Sequence, residues 1–251
     1  MVTIIDCVNN VAGHNVCEYL RREYSFDDLI HATEESILDF SFDGDTDYII
    51  VPSTHRSESK RRTLTVHVPG NWSAADMGGQ PFTLNVSYGS KMKTTLMLIA
   101  ELSQKRNFSG WSVTLEVDHH GPTLHHPVFF VEIGSTEDEW NDENAVRLIG
   151  DAIVRAIDDT TSYDNVVGYG GTHYAPRFTV RELDTGGPAY AHICPRYRFD
   201  EIDYRMFEQA IEKSVEPVVS VEIEKKGLLS AQKKKVKEWS ASYGIECRVI
   251  H

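Results

Sequence analysis

Short apolar runs rich in β-branched residues alternate along this chain with stretches of helical periodicity, and that alternation leaves few folds open to it. Val2 to Val8 reads as a first strand, and a helical stretch opens at Ala12-Gly13 and runs through Arg22. Tyr48-Ile49-Ile50-Val51 reads as a buried strand closed by Pro52, which has no N–H to give to a sheet ladder. Leu64 to Val68 alternates with period two before the Pro69-Gly70 turn. His67 falls there in phase with Thr65, on the face opposite Leu64, Val66 and Val68, and the pattern predicts an exposed or interfacial histidine. Met92, Leu96, Ile99 and Leu102 mark an amphipathic helix over Ser90–Lys105.

The run Val113 to Asp118 puts Val113, Leu115 and Val117 on one face and Thr114, Glu116 and Asp118 on the other. Val128 to Ile133 is a strongly apolar strand that carries Glu132, and a carboxylate in such a run needs a partner because an unpaired buried charge is too costly. Thr136-Glu137-Asp138-Glu139 matches a capping box for a helix bearing Val146, Ile149, Ile153 and Ile157. Asn165 to Tyr169 and Val218 to Ile223 are further strands, with a helix carrying Met206, Phe207, Ala210 and Ile211 between them. The last helix spans Ser230–Tyr243 with Gly244 as its stop, and Ile245 to Ile250 closes the chain as a strand. No linker or internal repeat interrupts the pattern. The expectation is one α/β domain over residues 1–251, with a mixed, mostly parallel sheet flanked by helices.

The charge balance narrows the partners. With 25 basic and 38 acidic residues, a net charge of −13 disfavours broad, non-specific nucleic-acid binding, DNA included. The cations are unevenly placed, however: Lys60-Arg61-Arg62, Lys225-Lys226 and Lys233-Lys234-Lys235 with Lys237 are local clusters through which an acidic chain can still engage phosphates. No apolar run is long enough to span a membrane, and no secretory leader is visible. Cys7, Cys17, Cys194 and Cys247 are scattered without a paired CxxC, which argues against a zinc ribbon or a disulfide scaffold and fits the reducing cytoplasm.

Two histidine-bearing segments concentrate the chemistry. Glu116-Val117-Asp118-His119-His120-Gly121-Pro122-Thr123 and Gly170-Gly171-Thr172-His173-Tyr174-Ala175-Pro176-Arg177 both sit where a strand-like run gives way to a Gly/Pro turn. Imidazoles of His119, His120 and His173 with the Glu116 carboxylate suit Zn²⁺, which acidifies water, and metal-free general-base work by one histidine is the rival chemistry. Gly170-Gly171 lets backbone approach a ligand closely and, like Gly121, offers N–H groups to an oxyanion. Tyr174 offers a stacking face and Arg177 a phosphate partner, while His55 and Ser57, in the stretch after the Tyr48 strand, have the inventory of a ribose or phosphate contact.

These segments, together with Ser53-Thr54-His55-Arg56-Ser57-Glu58-Ser59 and Phe129 to Thr136 with Glu139-Trp140, closely resemble the D-aminoacyl-tRNA deacylase family of archaea and plants, in order along essentially the whole chain. The chain departs from the family pattern at Lys60-Arg61-Arg62 and at Thr172, neither of which removes a titratable group. The resemblance implies hydrolysis of the ester between a D-amino acid and the terminal adenosine of tRNA, a chiral quality-control step in translation. It also implies zinc as cofactor and a fold related to nucleoside phosphorylases and peptidyl-tRNA hydrolases. Under it Glu116, His120 and His173 are the catalytic candidates, with His119 joining them as a metal ligand. His55, Ser57, Thr123, Gly170, Gly171, Tyr174 and Arg177 become candidates for contact with the acceptor end of the substrate. Arg177, Lys60, Arg61 and the Lys233–Lys237 helix face are candidates for the acceptor stem. Peptidyl-tRNA or nucleoside-type hydrolysis on a related fold is the alternative reading, and a non-catalytic tRNA-binding protein is a third; a monomer and a homodimer both agree with the sequence.

Overall fold

The computed structural model describes residues 1–251. Its strands are β1 (Val2–Cys7), β2 (Ile30–Thr33), β3 (Tyr48–Arg56), β4 (Thr63–His67), β5 (Gly70–Asn71), β6 (Thr83–Leu84), β7 (Ser112–Leu115), β8 (Val128–Ser135), β9 (Asn165–Tyr169), β10 (Ala189–Cys194), β11 (Val218–Glu224) and β12 (Glu246–Ile250). Its helices are α1 (Val11–Tyr24), α2 (Gly89–Lys105), α3 (Glu137–Trp140), α4 (Glu143–Asp158), α5 (Pro176–Glu182), α6 (Tyr204–Glu212) and α7 (Ser230–Tyr243). The expected α/β alternation and mostly parallel pairing are present, with β5 paired with β6 in a short antiparallel ribbon and the other ten strands shared between two sheets. One has the order β2-β1-β3-β8-β4-β7, antiparallel only between β4 and β8, and the other, β10-β9-β11-β12, is wholly parallel. The first sheet ends where β7 stops at Leu115 and its continuation turns toward the second, the Asp118 N–H donating to the Ile193 carbonyl at 3.1 Å.

Alternation along the strands of the first sheet sorts their side chains into two layers. Ile4, Ile50, Phe129 and Val131 join the largest apolar cluster with α1, α2 and α4, and that cluster also takes Val166, Tyr190 and Ile193 from the second sheet. Ile5, Ile49, Val51, Val128 and Phe130 face the other way, under Phe40 and Leu124. Continuing along this second face, the same phase delivers Ser53 and His55 from β3 and Glu132 from β8. The β4–β8 register then sets Thr65 opposite Glu132 and His67 opposite Phe130. One sheet face is therefore apolar at one end and carries titratable groups at the other.

Three local expectations change. β3 runs straight through Pro52 to Arg56. Ile49 donates toward the β8 side, to the Pro127 carbonyl, so the N–H groups of even-numbered β3 residues point away from β8; the β1–β3 pairing has ended at Ile50, and the Thr54 N–H donates to Asn10 Oδ1 at 2.9 Å. The missing N–H of Pro52 thus falls where no ladder bond is made. The Thr136 capping box starts only the one-turn α3; α4, with Val146, Ile149 and Ile153, has its own N-cap in Asp142. His67 is fully buried, not exposed, because the second face of β4 is covered by the loop after β7, so the alternation located its face but not what lies on it.

The N-terminus of α1 abuts β3 closely. A Cβ on Gly13 would be driven into the Pro52 carbonyl oxygen. Gly13→Ala is expected to cost about 1–3 kcal/mol, because backbone must move to admit the methyl. A urea midpoint equal to wild type would contradict this packing.

Candidate active site

The register that orders the first sheet also brings its two histidine segments together. The Glu116 N–H continues the β4–β7 pairing by donating to the Val66 carbonyl at 3.1 Å, which sets Glu116 beside His67. The segment after β9 then lies antiparallel on the same stretch, with the Val117 N–H donating to the His173 carbonyl and the Ala175 N–H to the Leu115 carbonyl, both at 3.1 Å. Gly170 and Gly171 make that return possible, since both have positive φ (130° and 83°) and Gly170 lies against the Glu224 side chain. His120 holds the left-handed conformation as well (φ 48°), a strain that non-glycine residues keep mainly at functional sites.

Glu116 is the centre of the cluster. Its Oε1 lies 3.0 Å from His55 Nδ1, and its Oε2 lies 3.2 Å from His173 Nε2 and 3.5 Å from His119 Nε2. Neither oxygen is aligned in a hydrogen bond, although the residue is buried. Burial opposes its ionisation, but the facing His173 and His55 rings hold it well below the usual carboxylate range. Glu132, the carboxylate that needed a partner, has two: its Oε2 accepts from His55 Nδ1 at 3.2 Å, and its Oε1 lies 3.7 Å from His67 Nε2. Against the same burial these rings hold Glu132 below its ordinary value too. Burial likewise opposes protonation of His55, but Glu116 and Glu132 outweigh it and push its pKa up to about 11. His55 therefore carries both ring protons, and Nε2 donates to the Tyr174 hydroxyl at 2.9 Å.

The remaining histidines are set differently. His119 Nδ1 donates to the Val117 carbonyl at 2.8 Å and His120 Nδ1 to the Gly121 carbonyl. Burial, with repulsion from neighbouring imidazoles, lowers the pKa of His119 well below its ordinary value and that of His120 to about 4. Both are neutral near pH 7, with the lone pair on Nε2. His67 Nδ1 donates to the Val68 carbonyl at 3.2 Å; burial resists its protonation, Glu132 favours it, and Nε2 has no hydrogen-bond partner. Ring nitrogens of His67, His119 and His120 lie within 4.8 Å of one another, and so do the donor atoms of His55, Glu116 and His173. The four ligands expected from sequence, His119, His120, His173 and Glu116, thus divide between two adjoining groups, each completed by a histidine from the first sheet.

A cavity of about 320 Å³ opens onto this cluster, with His55, His119, His120, Glu132 and His173 in its wall. Glu116 lies behind them, and His173, with 39% of its side chain exposed, is the most open histidine of the set. Trp72, Tyr197 and Arg198 also line it. Asp118 steadies the floor, its Oδ2 accepting from His192 Nδ1 at 2.8 Å and its Oδ1 from the Ile193 N–H at 2.8 Å, while His192 Nε2 donates to the Lys213 carbonyl at 2.8 Å. The sequence reading gives no role to His192, Trp72 or Tyr197, and takes His67 as an exposed or interfacial histidine rather than a member of the site. Only His67 had a visible signal, its phase with Thr65.

Other expected contacts lie elsewhere. Ser57 is past the end of β3 with its hydroxyl on Ser59, and Thr123 Oγ1 accepts from the Gln80 N–H at 2.9 Å. Arg177 is outside the cavity, and Tyr174 is held against His55 rather than presenting a free face. The N–H groups of Gly121, Gly170 and Gly171 are already given to Met77 O, Cys194 O and Glu224 Oε2, so none is free for an oxyanion.

The shifted groups set a pH dependence for the metal-free protein. His55, with a folded pKa of about 11 against 6.5, contributes stability that is complete below pH 6.5 and lost as the pH rises towards 11. Glu116 and Glu132, held below 4.5, contribute above that value and lose it as the pH falls. Urea midpoints are expected to decline on both sides, and His55→Gln to flatten the alkaline limb; an alkaline limb equal to wild type would refute the assignment.

The sequence matches the D-aminoacyl-tRNA deacylase family over residues 42–248, a span that holds the whole histidine–carboxylate cluster. It is 32% identical over 250 residues to D-aminoacyl-tRNA deacylase of Ignicoccus hospitalis, covering 99% of each chain. It is 36% identical over 230 residues to the protein of that name from Aeropyrum pernix, covering 88% of this chain and 82% of that one. Among solved structures, a crystallised conserved protein of unknown function superposes with a TM-score of 0.91 at 29% identity, over 99% of this chain and 95% of that one. On the sequence match and these relatives, the chain belongs to the D-aminoacyl-tRNA deacylase family.

Proposed function

We propose that this protein hydrolyses the ester between a D-amino acid and the 3′-terminal adenosine of tRNA, releasing free D-amino acid and tRNA, and that Glu116 and its ring of histidines are where it does so. The observation that carries the reading is the buried, ionised Glu116 carboxylate, behind the wall of an open cavity and facing three imidazoles, with neither oxygen aligned in a hydrogen bond. An aminoacyl ester is already activated, so positioning it against one activated water is sufficient. His173 is placed to take the proton that water gives up and to return it to the departing 3′ oxygen as the carbonyl carbon–oxygen bond breaks. Glu116, 3.2 Å away, stabilises the imidazolium so formed. Tyr174 and Glu132 fix His55, which keeps Glu116 ionised. Tyr197, 53% exposed at the cavity mouth, offers the terminal base a stacking face in place of Tyr174.

The donor set also fits zinc. His119 and His120 are unprotonated at Nε2, their Nδ1 atoms are tied to backbone carbonyls, and unpartnered atoms of His67 and Glu116 lie beside them. His67, His119 and His120 would hold a cation on one side, and Glu116 with His173 on the other, while His55, protonated at both ring nitrogens, stays behind Glu116. Bound there, zinc supplies a Lewis acid that acidifies water near neutral pH.

The test is amino-acid release from matched D- and L-tyrosyl-tRNA. Release from the D-ester alone supports the reading, loss on chelation with recovery on Zn²⁺ supports the metal, and release from neither ester overturns the reading.

A further inference from the structure

On the far side of the segment that carries His173 lies a second cleft, of about 320 Å³, walled by Arg177, Lys225, Lys226, His251 and Glu224, with no apolar side chain. Lys233, at the start of α7, extends it by donating to the Lys225 carbonyl at 2.9 Å. Most arginines of this acidic chain are spoken for: Arg21, Arg22, Arg62, Arg106, Arg147, Arg155, Arg181, Arg198 and Arg248 all lie within ion-pair distance of a carboxylate. Arg177, Lys225, Lys226 and Lys233 have no such partner. Unpaired cations gathered in one polar cleft, against a net charge of −13, leave an electrostatic footprint for an anion of repeating charge. A protein partner would meet apolar anchors at the centre of its interface, and this wall has none.

One chain segment joins the cleft to the active-site cavity, with His173 lining the cavity and Arg177 the cleft. Gly171 gives its N–H to Glu224 Oε2 at 2.8 Å, which ties the His173 segment to the end of β11 just before Lys225 and Lys226. Arg177 is four residues beyond His173, so their Cα atoms are at most about 14 Å apart. At 3.4 Å of rise per stacked nucleotide, that is roughly four phosphates. We infer that Arg177, Lys225, Lys226 and Lys233 bind the phosphates of the tRNA 3′ strand a few nucleotides before the ester, and so hold the terminal adenosine in register with His173. This rests on the deacylase reading for the identity of the nucleic acid.

The test is binding of uncharged tRNA, followed by fluorescence anisotropy over a salt series. Lys225→Gln with Lys226→Gln is expected to weaken binding and to lower the slope of log K against log salt by roughly 0.7–0.9 per lysine removed. Arginine at both positions restores the slope, and Lys105→Gln, on α2 and paired with Glu101, leaves it at the wild-type value. Wild-type affinity and slope in the Lys225/Lys226 double variant would overturn the inference. Because the ligand carries no ester, the outcome is independent of catalysis. A protein that binds tRNA through these lysines but releases no D-amino acid keeps the surface and loses the deacylase reading. One that releases D-amino acid with an unaltered slope loses the surface alone.

Discussion

Replacing Glu116 by Gln is expected to lower D-aminoacyl-tRNA hydrolysis by about 10²–10⁴-fold, the range over which a positioned acid–base partner acts. The amide keeps the shape of the side chain and removes its charge. In the wild type, Glu116 lies 3.2 Å from His173 Nε2 and 3.0 Å from His55 Nδ1. Without the charge, the imidazolium that forms on His173 during turnover faces a neutral amide in place of the carboxylate that stabilised it. The loss should fall on kcat, since Glu116 lies behind the cavity wall and touches no part of the opening through which substrate enters. Single-turnover rates of D-tyrosyl-tRNA hydrolysis measure it. A rate within threefold of wild type would remove Glu116 from the chemistry.

The second large effect is on stability. Glu132→Gln is expected to destabilise the metal-free protein by about 3–5 kcal/mol, the cost of removing one member of a buried ion pair. His55 donates to Glu132 at 3.2 Å and His67 lies 3.7 Å from it, and all three side chains are buried. The cost arises because the charge on His55 loses one of its two counter-ions, so removing that ring as well should return part of it. A double-mutant cycle with His55→Gln is therefore expected to be non-additive, with the double variant more stable than the sum of the single losses implies. Additive losses in urea unfolding would show that the pair does not interact in this way.

The sequence carried the outline of this site because its two histidine segments each sit at a strand end, and strand ends converge in an α/β fold. Glu132 was legible for a related reason: one carboxylate in an apolar run demands a partner, and the structure supplies His55 and His67. The exact bounds of α7, from Ser230 to the left-handed Gly244, follow from local chemistry alone. What was not legible depends on contacts between distant segments. Period-two alternation shows that His67 faces away from Leu64 and Val66, but only the path of the loop after β7 decides that His119 and His120 cover it. Pro52 ends a strand only if its N–H side is paired, and the place where β1 parts from β3 is not written near Pro52. Asp118 and His192 meet across 74 residues, with nothing in either segment to mark the other. Arg177 belongs to the right motif and still lies outside the cavity, on α5, whose first residue is Pro176.

The most direct test of the account is a crystal structure with a stable analogue in which the ester of D-tyrosyl-adenosine is replaced by an amide. The account places its carbonyl carbon in the cavity beside His173, with the adenine against Tyr197 and the 5′ side of the ribose leading toward Arg177. An analogue seated away from the histidines around Glu116, at a concentration that blocks turnover, would contradict it.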